Sequence, residues 1–217
     1  MAKKEKRKVP QFPSGMPAVF LLKSGSIDWD KFGQILDARS SVTMIINGRH
    51  KIIVDSGLMG EEEPLCKALA ELGVKPEEID CIVNTHSHPD HCGNNHLFSK
   101  AKVLTAKEGD VIAPGVWVLA TPGHSMDSVS VVVEVQMKTI VISGDALPTL
   151  GNFLKRVPPA LHVDCDLAVA SMQRILALAD YVVPGHDFPF SIPRKAYVPL
   201  PFRIGPREGS AGSKPPD

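Results

Sequence analysis

Apolar residues in this chain gather into short runs broken by turn residues, and most of the runs are too short for helices. Val19-Phe20-Leu21-Leu22, Val42-Thr43-Met44-Ile45-Ile46 and Ile52-Ile53-Val54 read as strands, and Asn47-Gly48 between the last two is a hairpin signal. This opening is expected to be antiparallel. Further strands are expected at Ile79 to Asn84, Ala101 to Thr105, Val116 to Ala120, Ser128 to Val135, Thr139 to Ser143 and Tyr181 to Val183. Two stretches carry a helical period instead. Leu65, Leu69 and Leu72 follow the acids Glu61-Glu62-Glu63, which suit the positive end of a helix dipole, and Gly73 closes the segment. Leu167, Ala168, Ser171, Met172, Ile175 and Leu178 form a stripe over 164–179, with Asp164 placed to cap it. A shorter helix is expected within Gly93 to Phe98. Strands first, with one helix in each half, predict an α+β fold: two sheets stacked inside two helical layers, a four-layer αββα sandwich.

The two ends do not share this patterning. Residues 1–17 open with Lys3-Lys4-Glu5-Lys6-Arg7-Lys8 and continue through Pro10, Pro13 and Pro17, which reads as a solvated basic arm. From Arg194 the composition turns to proline, glycine and serine, that of a linker, so the expected domain is 18–193 with a tail over 194–217. A chain of 217 residues, 43% hydrophobic and 22% charged, suits one globular domain. Lys+Arg and Asp+Glu are both 24, which gives no overall bias toward nucleic acid or an anionic membrane. No apolar run approaches the roughly 18 residues of a spanning helix, and the N-terminus lacks the apolar core of a secretory signal. Cys66, Cys81, Cys92 and Cys165 show no close spacing, which points to a reducing, cytoplasmic compartment.

Candidate chemistry is concentrated in Thr85-His86-Ser87-His88-Pro89-Asp90-His91. Three imidazoles and a carboxylate in so short a stretch exceed what solubility or packing calls for, and they read as a metal site. Alternation past the end of the strand before it would let His86 and His88 share one ion. Pro89, which fixes φ and lacks a donor, would turn Asp90 and His91 toward a second ion. Four ligands cannot fill two coordination spheres. Three later turns, Gly123-His124, Gly144-Asp145 and Gly185-His186, each follow a β-rich run and offer further ligands. A lone His or Asp after a strand is more often a cap or a satisfied polar group, and His50, His96 and His162 are read so; His162 lies on a segment that could fold over the site. Cys92 is read as a small buried residue.

The ordered set His-x-His-x-Asp-His, then His, Asp and His at strand ends, resembles the metallo-β-lactamase fold superfamily over roughly residues 18–193. The resemblance implies the same αββα sandwich. It also implies that His86, His88 and His124 hold one divalent transition-metal ion and Asp90, His91 and His186 a second, with Asp145 bridging. Asp55 of Val54-Asp55-Ser56-Gly57 and Thr85 would support the metal loop. Nitrogen and carboxylate ligands suit zinc best, with manganese or iron also compatible. A water shared by two such ions falls in pKa to about 7 from ~15.7, so a metal-bridging hydroxide would be the nucleophile, with Asp90 orienting it and moving its proton.

Asp145 in place of a cysteine is unlike the true class B β-lactamases and closer to the glyoxalase II, lactonase and ribonuclease Z branches. The expected substrate is a small ester, thioester or lactone, met in a shallow site because the loops read as short. A compact branch linked with RNA phosphodiester cleavage shares the look of Asp127 to Val133 and Val182 to His186, which keeps RNA open as a partner. A mononuclear iron dioxygenase of the persulfide type is a third reading. No membrane partner is expected, and a homodimer is compatible with the sequence.

Overall fold

Strands whose two faces are both apolar must be covered on both sides, and that requirement sets the layering. The computed structural model describes residues 16–200. Residues 1–15 and 201–217, which hold most of the expected arm and tail, lie outside the described residues. In chain order the elements are β1 (Ala18–Lys23), β2 (Ser26–Trp29), β3 (Ile35–Arg39), β4 (Val42–Asn47), β5 (His50–Val54), α1 (Glu62–Glu71), β6 (Cys81–Val83), α2 (Pro89–Cys92), β7 (Lys102–Leu104), β8 (Val111–Ala113), β9 (Val116–Ala120), β10 (Val129–Val135), β11 (Lys138–Gly144), α3 (Leu150–Lys155), α4 (Cys165–Leu178), β12 (Tyr181–Pro184), β13 (Phe190–Ser191) and β14 (Ala196–Tyr197). One sheet runs β1-β4-β5-β6-β7, the other β14-β13-β12-β11-β10-β9-β8, and β2 and β3 form a separate ribbon.

Alternation along each strand sends its residues to different cores. Ile45, Ile52, Val54 and Val83 of the first sheet meet Val118, Val131, Val133 and Ile142 of the second in the central core. Their sequence neighbours Met44, Ile53 and Ile82 point outward and are covered by Leu65 and Leu69 of α1. On the far side, Val132, Val141 and Val182 pack under Leu150 and Phe153 of α3 and Met172 and Ile175 of α4. The expected αββα sandwich is therefore the observed architecture.

Several local expectations need correction. The opening strands β1, β4 and β5 are antiparallel as expected, but β5, β6 and β7 pair in parallel through helical crossovers. The strand expected to reach Asn84 stops at Val83. The short helix expected within 93–98 is displaced: Pro89, well suited to a first helical turn, opens α2 at Pro89–Cys92, and only a 3-10 turn follows at Asn95–Leu97. The second half carries α3 besides the expected helix, whose cap is as expected, with Asp164 accepting from the Leu167 amide at 3.0 Å. The ribbon, β8, β13 and β14 were not anticipated, and β14 places Ala196–Tyr197, within the stretch expected as tail, on the edge of the larger sheet. Among the described residues no helix is long and apolar enough to cross a membrane.

Ile175 is wholly buried under the second sheet, whereas Leu178 one turn later is 41% exposed. Ile175→Ala is expected to lower unfolding free energy by about 2–5 kcal/mol. Leu178→Ala should stay within about 0.5 kcal/mol. Urea denaturation of both variants checks the pair.

Candidate metal centre

Every expected ligand sits on a connection at one end of the two sheets, and the local sequence explains how each is aimed. Asp55, directly after β5, takes up a left-handed backbone with φ 57, an unusual state for a residue with a side chain. In that conformation its buried carboxylate faces the next crossover. It accepts from the Thr85 amide at 2.6 Å, the Thr85 hydroxyl at 2.8 Å and His91 Nδ1 at 2.7 Å. His86 and His88 lie in the loop beyond β6 rather than on its alternating edge, yet they still converge, with His86 Nε2 3.0 Å from His88 Nδ1. Gly144 adopts φ +48 against Thr85, and any Cβ there would overlap the Thr85 side chain. Glycine at that point lets the Asp145 turn press onto the loop that carries the histidines.

The seven side chains meet. His88 Nδ1 lies 3.0 Å from both His86 Nε2 and His124 Nε2. Asp90 Oδ2 lies 3.6 Å from His91 Nε2 and 3.5 Å from His186 Nε2. Between these triads stands Asp145: Oδ1 is 3.3 Å from His91 Nε2 and 3.1 Å from His186 Nε2, while Oδ2 is 3.4 Å from His124 Nε2. His86-His88-His124, His86-His91-Asp145 and Asp90-His91-His186 each bring their donor atoms within 4.8 Å of one another, close enough for each trio to hold an ion.

The outer nitrogens orient the inner ones. His91 Nδ1 donates to Asp55, His124 Nδ1 to the Leu161 carbonyl at 2.7 Å, and His186 Nδ1 to the Ser26 and Arg39 carbonyls at 3.2 and 3.0 Å. Thr85, whose hydroxyl proton goes to Asp55, receives His86 Nδ1–H at 3.1 Å. Each of these four rings therefore turns its Nε2 toward the cluster, the arrangement that backs metal-binding histidines. Two atoms at the centre, His91 Nε2 and Asp145 Oδ1, are buried without a hydrogen bond. Such orphaned polar atoms are costly unless a cation satisfies them.

Electrostatics agree. Burial, reinforced by neighbouring His91, pushes the His86 pKa down to about 2, so the ring is neutral with its lone pair free. Burial also opposes charge on His91, but the Asp55 and Asp145 carboxylates outweigh it and hold that imidazole well above its usual range. Burial would raise Asp145, and His91 and His186 override it, leaving the acid ionised. In the protein alone a proton on His91 offsets the two carboxylates. A divalent ion is the natural replacement for it.

The site opens into a cavity of about 270 Å³ rather than the shallow surface expected from short loops. One wall is the β2–β3 ribbon, through Ile27, Trp29 and Ile35; the other is the segment Pro148 to Leu161, including α3. The wall from Pro148 to Leu161 belongs to the segment that the sequence allowed to fold over the site, whereas the ribbon wall and the backbone carbonyls of Ser26, Arg39 and Leu161 that orient histidines escaped the reading of the sequence. The ribbon had a signal: Ile27 and Trp29 alternate with polar residues before an Asp30-to-Gly33 turn, in which Asp30 accepts from the Phe32 and Gln34 amides. The carbonyls had none, since backbone acceptors leave no trace in residue identity. Among the remaining histidines, His96 lies 3.4 Å from Glu62 and His162 Nδ1 donates to the Pro159 carbonyl; neither joins the cluster. Cys92 is only partly buried, its thiol directed at the Ser87 and His88 carbonyls.

Comparison with known proteins gives a consistent picture. The family model described as metallo-beta-lactamase superfamily matches residues 36–111. A protein of Methanocaldococcus jannaschii named "probable metallo-hydrolase" is 36% identical over 154 residues, 63% of this chain and 70% of that protein. Mouse metallo-beta-lactamase domain-containing protein 1 is 38% identical over 166 residues, 68% of this chain and 63% of the mouse protein. The chain thus spans about two thirds of the length of these relatives. A solved metallo-beta-lactamase-fold structure from Thermotoga maritima superposes with a TM-score of 0.66 at 20% identity, covering 81% of this chain and 99% of the other.

Because Asp55 holds His91 directly and His86 through Thr85, Asp55→Ala should loosen all three donor trios at once. Zinc affinity, measured by competition with a chromophoric chelator, is expected to fall about 10–100-fold with the far-ultraviolet spectrum retained.

Proposed function

Since the chain belongs to the metallo-β-lactamase superfamily, a family of metal-dependent hydrolases, we propose that it uses two divalent ions to hydrolyse a small ester, thioester or lactone. One observation carries the reading: Asp145 stands between the His86-His88-His124 and Asp90-His91-His186 trios, one oxygen facing His91 and the other His124, where it lines a small cavity with largely apolar walls. Zinc is the ion that the imidazole and carboxylate donors suit best, with manganese or iron as other occupants. When bound, such ions acidify a water and polarise the carbonyl or phosphoryl oxygen of a substrate.

The chain's own groups account for the remaining steps. His86, His88 and His124 present one cradle, and Asp90, His91 and His186 the other; His86, His91, His124 and His186 are braced from behind, whereas His88 lies at the exposed edge. Asp90 keeps 17% of its side chain exposed and borders the cavity. It is the acid placed to take a proton from the attacking water and pass it to the leaving group.

Cavity size favours a compact substrate over RNA. A polyanion requires several cationic groups along its path, and Lys155 is the sole lysine or arginine on the walls of this cavity. The iron dioxygenase reading requires one ion and leaves Asp90, His91 and His186 without a role. We assign the protein to the cytoplasm, whose reducing conditions suit four unpaired cysteines.

Purified protein is expected to carry two equivalents of transition metal, and chelation should abolish turnover in a screen of thioester, lactone, bis-4-nitrophenyl phosphate and single-stranded RNA. Asp90→Ala should lower kcat by about 10²-fold or more. Cleavage of RNA alone would replace the ester reading with a phosphodiesterase. A single iron with oxygen uptake would replace it with a dioxygenase.

A further inference from the structure

The walls of the catalytic cavity are not uniformly apolar, and their polar members divide sharply. Thr149 caps α3: its hydroxyl accepts from the Asn152 amide at 3.2 Å and donates to Asn152 Oδ1 at 2.6 Å. Asn152 spends its side-chain amide on the carbonyls of Val157 and Pro158, at 3.2 and 3.0 Å. These two groups hold the wall together and have little left for a ligand. Lys155, at the last turn of α3, lines the same cavity and is exposed. Among the described residues no carboxylate forms an ion pair with it. It is the cavity's one fixed cation apart from the imidazoles of the cluster.

Resting on the hydrolase reading above, we infer that Lys155 is a specificity-determining residue that selects substrates carrying a single negative charge, such as a carboxylate, at a distance from the scissile bond. The apolar faces of Ile27, Ile35 and Leu161 then receive the hydrocarbon between the two ends. A single ammonium balances one charge. A doubly charged group or a polymer would leave charge uncompensated beside apolar walls, which is unfavourable. The ammonium acts as a point charge on a flexible stem, so it sets the charge of the substrate more than its shape. At physiological pH it also raises the local concentration of anions at the mouth, an effect that salt screens.

Zinc-loaded protein is to be compared on the mono-4-nitrophenyl ester of adipate and on 4-nitrophenyl hexanoate, which match in chain length but differ in charge. The adipate ester should be preferred about fivefold at low salt, with the difference in KM rather than kcat. Lys155→Arg should keep that preference, Lys155→Ala should remove it, Lys155→Glu should reverse it, and high salt should erase it in the wild type. An adipate-ester KM equal in wild type and Lys155→Ala overturns the inference. Calorimetric binding of adipate monoanilide and hexananilide gives a readout independent of turnover. Tighter binding of the anion by wild type, lost in Lys155→Ala, supports the assignment even if neither ester is hydrolysed, an outcome that would count against the ester-hydrolase reading alone. Equal affinity of wild type for the two anilides overturns it.

Discussion

The carboxylate of Asp55 is the constraint on which the site depends. It receives one main-chain amide, one hydroxyl and one imidazole, all from the crossover that follows β6, and it does so from a left-handed backbone that costs of order 1 kcal/mol. Those bonds over-determine the path of the Thr85 loop. Once that loop is set, Thr85 supports His86, Pro89 starts a helical turn that separates Asp90 and His91 from it, and Gly144 allows the Asp145 turn to close against it. A buried carboxylate with so many donors is a rigid anchor, because each partner would lose a bond that water cannot reach to replace.

The sandwich around this anchor makes the convergence of distant residues inexpensive. The parallel pairing of β11 with β12 puts the turns carrying Asp145 and His186 side by side, although the two residues are far apart in sequence. The main-chain bond from Gly185 N to the Gly144 carbonyl, at 3.0 Å, continues that pairing into the turns themselves. No loop has to search for its partner. The sheets also explain why the cluster can tolerate its own electrostatics: rings held by carbonyls and by Asp55 cannot rotate away from one another.

Most of the layering was legible in the chain because period-2 alternation and two helical stripes survive in the residue types themselves. Ile45, Ile53 and Val132 are apolar on whichever face they occupy, so the number of sheets was easier to read than the direction of pairing. Ligand identities were legible for a related reason: His and Asp directly after β-rich runs are conspicuous by chemistry. What escaped was whatever depends on short elements or on backbone groups. The ribbon strands are short and half exposed, α3 spans only six residues, and β13 and β14 only two each. In the helix and the two-residue strands neither period can be recognised, and the ribbon's alternation at Ile27 and Trp29 rests on two positions. The carbonyls of Ser26, Arg39 and Leu161 orient rings through atoms that every residue possesses.

One of those carbonyls ties two parts of the molecule that perform different tasks. Leu161 belongs to the wall that meets a substrate, and its oxygen grips the back of the His124 ring. Anything that displaces this wall therefore pulls on a ring facing the cluster, and anything that fixes the ring stiffens the wall. The cavity and the cluster in that sense hang on a single strap, and whatever effect filling one has on the grip of the other, reciprocity makes the converse effect equal.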